Sequence, residues 1–391
     1  MYRGFIDVTY IKGKSIFSGR NLNIEIQNGK IASVNEIEED CLNYLSPGFL
    51  DIQINGYQGK NYSDSLSLSQ IEELTKNISL SGTTRHLPTI ITNSEDNILA
   101  SIKAIVEARK ASPLLEYALP FIHIEGPFIS LDEGARGVHD PSHIRGADFE
   151  EFLRWQDAAE GLIKIVTLSP EDEDSLDFIR KISNQGVIAA IGHTNASVEM
   201  IEQAIEAGAR LSTHLGNGCP AYIPRLQNFL WKQLSDGRLS ASIIADGFHL
   251  PPYVLKSFTQ SKGADKTILI SDAAALAGSE PGLYKWGNMD IEIFEDGHMG
   301  LHNTSNLAGA SSLLNRCIAH LMECSDLTLE ECVRCATVNP WNLLNLDGWE
   351  LDPEVGDAAD ICSFRLMDGI LSIQRTICLT TELYINDEGI K

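Results

Sequence analysis

A glutamate and two histidines, each placed where an apolar run stops, have the clearest capacity for chemistry in this chain. Glu125 stands in His-Ile-Glu-Gly-Pro-Phe (123–128), His193 in Gly-His-Thr-Asn-Ala (192–196) and His214 in Thr-His-Leu-Gly-Asn-Gly (213–218). Strand-type runs precede them over 117–124, 187–191 and 209–212. A carboxylate closing an apolar strand is costly unless it is paired or bound to metal. A single strand-end histidine is more often just hydrogen-bonded. Three such donors brought around one axis read as a metal site, because two imidazoles and a carboxylate are a common zinc set that leaves a position for water. Asp272, in Ser-Asp-Ala-Ala-Ala after the run 267–270, is either an N-cap or a general base that later protonates a leaving amine. Together they predict metal-assisted hydrolysis.

Other residues have more than one reading. His249, in Asp-Gly-Phe-His (246–249), is placed to donate to a substrate carbonyl oxygen as charge builds there. Arg225, eleven residues beyond His214, either grips a phosphate or carboxylate or is a solvated surface arginine. Leu307-Ala308-Gly309 resembles no phosphate loop, and its glycine serves helix-start packing or close approach to a ligand. Cys332 and Cys335 form a lone C-x-x-C inside an expected helix (329–337). Without a second pair they predict neither a zinc nor a redox site.

These residues need a scaffold that gathers strand ends. From Pro47-Gly48 onward, apolar strands alternate with amphipathic segments. Strands are expected over 49–54, 83–89, 117–124, 163–168, 187–191, 210–213, 240–245 and 266–270. Helices are expected over 68–81, 98–108, 174–184, 197–207 and 252–263. Eight alternations predict a (β/α)₈ barrel, whose active site lies at the strands' C-terminal ends. A doubly wound sheet would explain the alternation, but less easily ligands from the third, fifth, sixth and eighth strands. The β-rich stretches before 47 and after 353 should pair into a small β-sandwich, with a hairpin at Asn28-Gly29. The expected division is therefore 1–47 with 353–391 for the sandwich and 48–352 for the barrel.

Composition sets limits. A net charge of −24 over 391 residues argues against nucleic-acid or anionic-membrane partners, and an anionic substrate would need a local positive pocket. No run has membrane length, the first residues lack a signal-peptide pattern, and eight scattered cysteines do not form a disulfide framework. A cytoplasmic protein is expected.

Taken in order, these motifs resemble the N-acetylglucosamine-6-phosphate deacetylase family of the amidohydrolase superfamily. The likeness runs through Pro47–Asp51, Gln53–Gly56, His123–Phe128, Gly192–Ala196, Thr213–Leu215, Asp246–His249, Ser271–Ala273 and Leu307–Gly309. It implies that Glu125, His193 and His214 bind one divalent metal ion per subunit, zinc by its ligand set. Asp272 would be the acid/base, and His249 would polarise the acetyl carbonyl. Gln53-x-Asn55 occupies the place where many amidohydrolases carry His-x-His, so a second metal is not expected. The sugar phosphate would meet Val138, His139, Asn217, Gly218, Arg225, His249, Leu307, Ala308 and Gly309. A homodimer is implied as well. This chain departs from the family after His214, with Gly216-Asn217-Gly218-Cys219-Pro220 in place of Asn-Ala-Met and a glycine-rich stretch. That leaves another N-acetyl amino sugar or an N-acyl amino acid open as substrate. A catalytically silent sugar-phosphate sensor is the third reading.

Overall fold

Eight parallel strands surround a core of branched aliphatic side chains in the computed structural model, which describes residues 4–5, 8–286, 289–304, 306–346, 348–349 and 351–386. The barrel strands are Phe49–Ile54, Thr83–Ile91, Ile122–Glu125, Ile163–Leu168, Ile188–Ile191, Leu211–Ser212, Ser240–Ile244 and Thr267–Ile270, paired in chain order. Their inward residues include Leu50, Ile52, Leu87, Ile165, Ala190, Leu211, Ile244 and Ile268, all buried. The interior is therefore packed rather than open, as this architecture requires. The last strand closes on the first through Asp272 N–H to the Gln53 carbonyl (2.9 Å) and Asn55 N–H to the Ala273 carbonyl (3.0 Å).

Helices fall where sequence periodicity and capping residues place them. Ser67 caps Leu68–Ile78 in a reciprocal capping box with Gln70, while Ser94, Asp172 and Ser197 cap Glu95–Ala111, Glu173–Asn184 and Val198–Ala207. Two expectations need correction. The third strand begins at Ile122, not 117, because Ser112 caps a short helix, Pro113–Ala118, that opens on its proline. The sixth strand is only Leu211–Ser212, since the chain turns out of the ladder to place His214.

The terminal segments join in one eight-stranded sheet. Val8–Ser15, Asn21–Gln27 and Lys30–Glu36 form an antiparallel meander, with Asn28 and Gly29 both at positive φ in the hairpin. Tyr44–Ser46 joins this meander to Asp360–Met367, Ile370–Cys378 and Thr381–Ile385. Gly29 and Ile31 hydrogen-bond back to 356–359, so the sheet folds over its own core of Ile11, Leu22, Ile24, Ile31, Leu45, Ile361 and Ile377. Gly4–Phe5 pairs along Thr381–Ile385 at the sheet's edge, and residues 6 and 7 of the β-rich start lie outside the described residues. The sequence reading also missed a three-stranded sheet, Gly282–Trp286, Met289–Ile293 and Met299–Leu301, inserted after the last barrel strand.

Asp360 fixes the sheet to the barrel. Its carboxylate accepts from Thr84 (2.5 Å) and Tyr117 (2.9 Å) and lies 3.0 Å from Arg85 Nε, whose guanidinium also sits over the Trp341 ring. Arg85 and Asp360 are both 4% exposed, so removing one charge strands the other without water. Asp360→Ala is therefore expected to lower unfolding free energy by about 3–5 kcal/mol. Denaturant melts of the variant would show this, with activity per folded molecule unchanged.

Candidate active site

Strand ends bring Glu125, His193 and His214 together as a triangle. Glu125 Oε1 is 3.2 Å from His193 Nε2 and 3.1 Å from His214 Nε2, and the two nitrogens are 3.0 Å apart. Donors about 2.0–2.2 Å from a shared tetrahedral ion would stand roughly 3.3–3.5 Å from each other. The triangle is a few tenths of an ångström tighter than that, so it fits such an ion with little movement. It is the one group of three or more such residues, among the described residues, able to hold a metal. All three side chains are buried. His193 Nδ1 donates to the Ala135 carbonyl at 2.8 Å, which fixes the tautomer and turns the Nε2 lone pair toward the centre.

Burial alone would raise the Glu125 carboxyl, but the two imidazoles hold it well below the usual carboxylate range. Burial depresses His214, yet its bond to Glu125 and the charge of Asp272 raise it on balance.

The backbone is bent to present these groups. His193, His214 and Asp272 have φ of 50°, 30° and 48°, a left-handed conformation uncommon outside glycine. Each costs on the order of 1–3 kcal/mol, which the surrounding packing must offset. Gly218 lies across the imidazoles, where an added Cβ would come within 2.9 Å of His193 Nδ1 and 3.0 Å of His214 Cε1. Only glycine fits there.

Asp272 stands beside the triangle. Gln53 Nε2 bridges Glu125 Oε1 (2.8 Å) and Asp272 Oδ1 (3.1 Å), and Asn55 Nδ2 donates to the same Asp272 oxygen (2.9 Å). Asp272 Oδ2 is left free to take a proton. Burial, then repulsion from Glu125, pushes this carboxyl up to about 6, well placed for a general base near neutrality.

Of the other expected residues, His139 and Gly218 touch the imidazoles of this centre. His139 packs edge-on against His193 with ring centres 4.4 Å apart, and burial pushes it down to about 3, so it is neutral. Val138 precedes it, half-buried. Asn217 carries a buried side-chain nitrogen with no partner. Leu307–Gly309 lies between the inserted sheet and the segment after Asp272: Ala308 N–H donates to the Met299 carbonyl (3.1 Å), and the Ala310 carbonyl accepts from Ala274 N–H (3.0 Å). Arg225 is exposed on the 220–228 loop and has no hydrogen bond or ion pair among the described residues.

Two carboxylates were not singled out by the sequence reading. Asp246, 2% exposed, accepts from His249 Nδ1 (2.8 Å) and from the N–H groups of Phe248 and His249 (2.9 Å each). Burial opposes its charge, but the bond to His249 holds the carboxyl below its ordinary range. Glu171 accepts from Asn195 N–H (2.6 Å) and Ser130 (3.0 Å), bracing the loop after His193. Both sit just past barrel strands, the same signal that marked Glu125. Asp246→Asn is expected to lower kcat about 10–100-fold with metal content unchanged, since it frees the His249 ring.

Burial raises the cysteine thiols above their ordinary range. All eight are free, and burial pushes Cys332 up to about 12. No helix among the described residues is long and apolar enough to cross a membrane.

Comparison with known proteins agrees with this geometry. The amidohydrolase family model matches residues 44–378. The N-acetylglucosamine-6-phosphate deacetylase of Bacillus subtilis (strain 168) is 30% identical over 385 residues, covering 95% of this chain and 94% of its own. The N-acetylgalactosamine-6-phosphate deacetylase of Shewanella sp. (strain ANA-3) is 28% identical, covering 81% and 76%. A mutant N-acetyl-D-glucosamine-6-phosphate deacetylase from Mycobacterium smegmatis, in complex with N-acetyl-D-glucosamine-6-phosphate, superposes with a TM-score of 0.84. It shares 25% identity over 97% of this chain and 100% of its own. A hydrolytic barrel with its polar groups gathered at the strand ends thus has its relatives along almost the whole sequence, and the chain belongs to the amidohydrolase family of metal-dependent hydrolases.

Proposed function

We propose that this protein hydrolyses the N-acetyl amide of N-acetylglucosamine 6-phosphate, giving glucosamine 6-phosphate and acetate. The observation that carries the reading is the Glu125–His193–His214 triangle with the free oxygen of Asp272 beside it. A divalent ion held by those three residues supplies a Lewis acid for water and for the amide carbonyl. Zinc suits two imidazoles and one carboxylate. Asp272 Oδ2 takes a proton from the attacking water and returns it to the amino-sugar nitrogen as the C–N bond breaks. Gln53 and Asn55 hold the other oxygen, so the acceptor keeps its orientation. His249, held through Nδ1 by Asp246, turns Nε2 to the developing oxyanion or to the phosphate. His139 and the Asn217–Gly218 backbone border the sugar, and Arg225 is the cation available to the 6-phosphate.

The loop after His214 supports a second reading, a phosphorylated epimer such as that named for the Shewanella relative. Acetate release from N-acetylglucosamine 6-phosphate, its galacto epimer and unphosphorylated N-acetylglucosamine, with zinc-loaded protein, separates these. The phosphorylated gluco compound is expected to lead its unphosphorylated form at least about tenfold in kcat/KM, the scale of one charge-assisted contact. Equal rates with and without phosphate would overturn the 6-phosphate assignment, and a faster galacto epimer would overturn the gluco one. Eight free thiols support a reducing, cytoplasmic setting, and a homodimer is part of the same proposal, checked by light scattering.

A further inference from the structure

A second cavity lies away from the metal triangle, between the 276–281 loop, the 293–297 turn of the inserted sheet and the start of the helix Leu314–Cys324. Its volume is about 450 Å³, within the range of small-molecule sites and several times the size of a bare oxyanion. The helix runs for 11 residues, and no side chain caps its N-terminus. Its first N–H groups and the positive end of its dipole therefore remain available to an anion. Ser312, only 5% exposed, lines the cavity, and its hydroxyl has no hydrogen-bond partner. A hydroxyl left unsatisfied in that setting costs on the order of 1–3 kcal/mol, which a ligand oxygen would relieve.

Arg316 supplies the charge. It sits in the first turn of the helix, lines the cavity, and has no ion pair or side-chain hydrogen bond among the described residues. Its guanidinium lies 5.6 Å from the centre of the Phe248 ring. Glu295, exposed on the opposite lip, is the one acid in the lining. The rest of the wall fits a small polar molecule: Tyr57 and Phe294 contribute aromatic rings, and Ser279, Ser311 and Asn315 contribute polar side chains.

We propose that this cavity is a second, non-catalytic binding site for a small phosphomonoester of the sugar-phosphate class. Its phosphate lies between Arg316, Ser312 and the helix N-terminus, and its polar body lies along Tyr57 and Phe294. The inference does not depend on which amide the metal centre cleaves. Phe248, touched by Arg316, precedes His249, so an anion that draws Arg316 away acts on the loop that holds the catalytic histidine.

Calorimetric titration at low ionic strength tests the site, with inorganic phosphate and glucosamine 6-phosphate as separate probes on wild type, Arg225→Ala, Arg316→Gln and Arg316→Glu. The expected result is a sugar-phosphate event, one per chain, that survives Arg225→Ala but weakens at least tenfold in Arg316→Gln and vanishes in Arg316→Glu. Weaker binding of inorganic phosphate at the same residue would show that the phosphate group is the shared determinant. Arg316 is exposed, so both variants should fold, with circular dichroism as the check. The proposal is overturned if wild type binds neither probe, if both Arg316 variants titrate like wild type, or if Arg225→Ala alone abolishes all binding.

Discussion

Asp272→Asn protein should fold, bind its metal and lose between about 10²- and 10⁴-fold in kcat, the range for a general base. Asparagine keeps the shape of the side chain, and its carbonyl can still accept from Gln53 and Asn55, so the wall of the site stands. What disappears is the second oxygen, which alone is free to accept a proton. KM should therefore change little while kcat falls, the pattern of a group acting in the transition state. Retention of more than about 5% of wild-type turnover would remove Asp272 from this role. The pH profile carries the same assignment. A base must be ionised to work, so kcat/KM should fall with unit slope as pH drops through the pKa of this carboxyl, raised to about 6 by burial and by Glu125. A bound dication favours the carboxylate and moves that limb lower. In Asp272→Asn the limb should be absent.

Stripping the metal should abolish turnover altogether, and one equivalent of zinc should restore it. Without a dication, the buried Glu125 is balanced, among the described residues, by the imidazoles and the Gln53 amide. His193→Ala or His214→Ala removes one corner of the triangle, so each protein should emerge from purification with less than a tenth of the wild-type metal, read by atomic emission. The ion also stabilises the fold: at a hundredfold excess over its dissociation constant it adds about 2.7 kcal/mol, visible as a higher melting temperature. Two equivalents of metal would contradict the first-strand chemistry. There Gln53 and Asn55 turn amide N–H groups, which donate hydrogen bonds and cannot ligate a cation, toward Glu125 and Asp272.

The sequence alone was enough for the barrel, because strand and helix periodicities alternate cleanly from residue 49 to 270 and serines or aspartates cap the helices. It also marked Glu125, His193 and His214, which the structure brings together, and Asp272 as candidates, since a charged or imidazole side chain ending an apolar strand conflicts with its surroundings unless chemistry explains it. It placed the third strand too early, where Pro113 starts a helix instead, and it passed over the inserted sheet, whose first strand is largely exposed and lacks a clean apolar alternation. The tertiary structure decided what depends on distance across the barrel. Gln53 joins Glu125 to Asp272 over separations of 72 and 219 residues, and Asp246 turns out to hold His249. Arg225 stays in solvent while Arg316, unmarked in the sequence, faces a cavity. Local patterns record what each segment prefers. Only the closed barrel determines which strand ends meet, because those contacts lie between residues with no proximity along the chain.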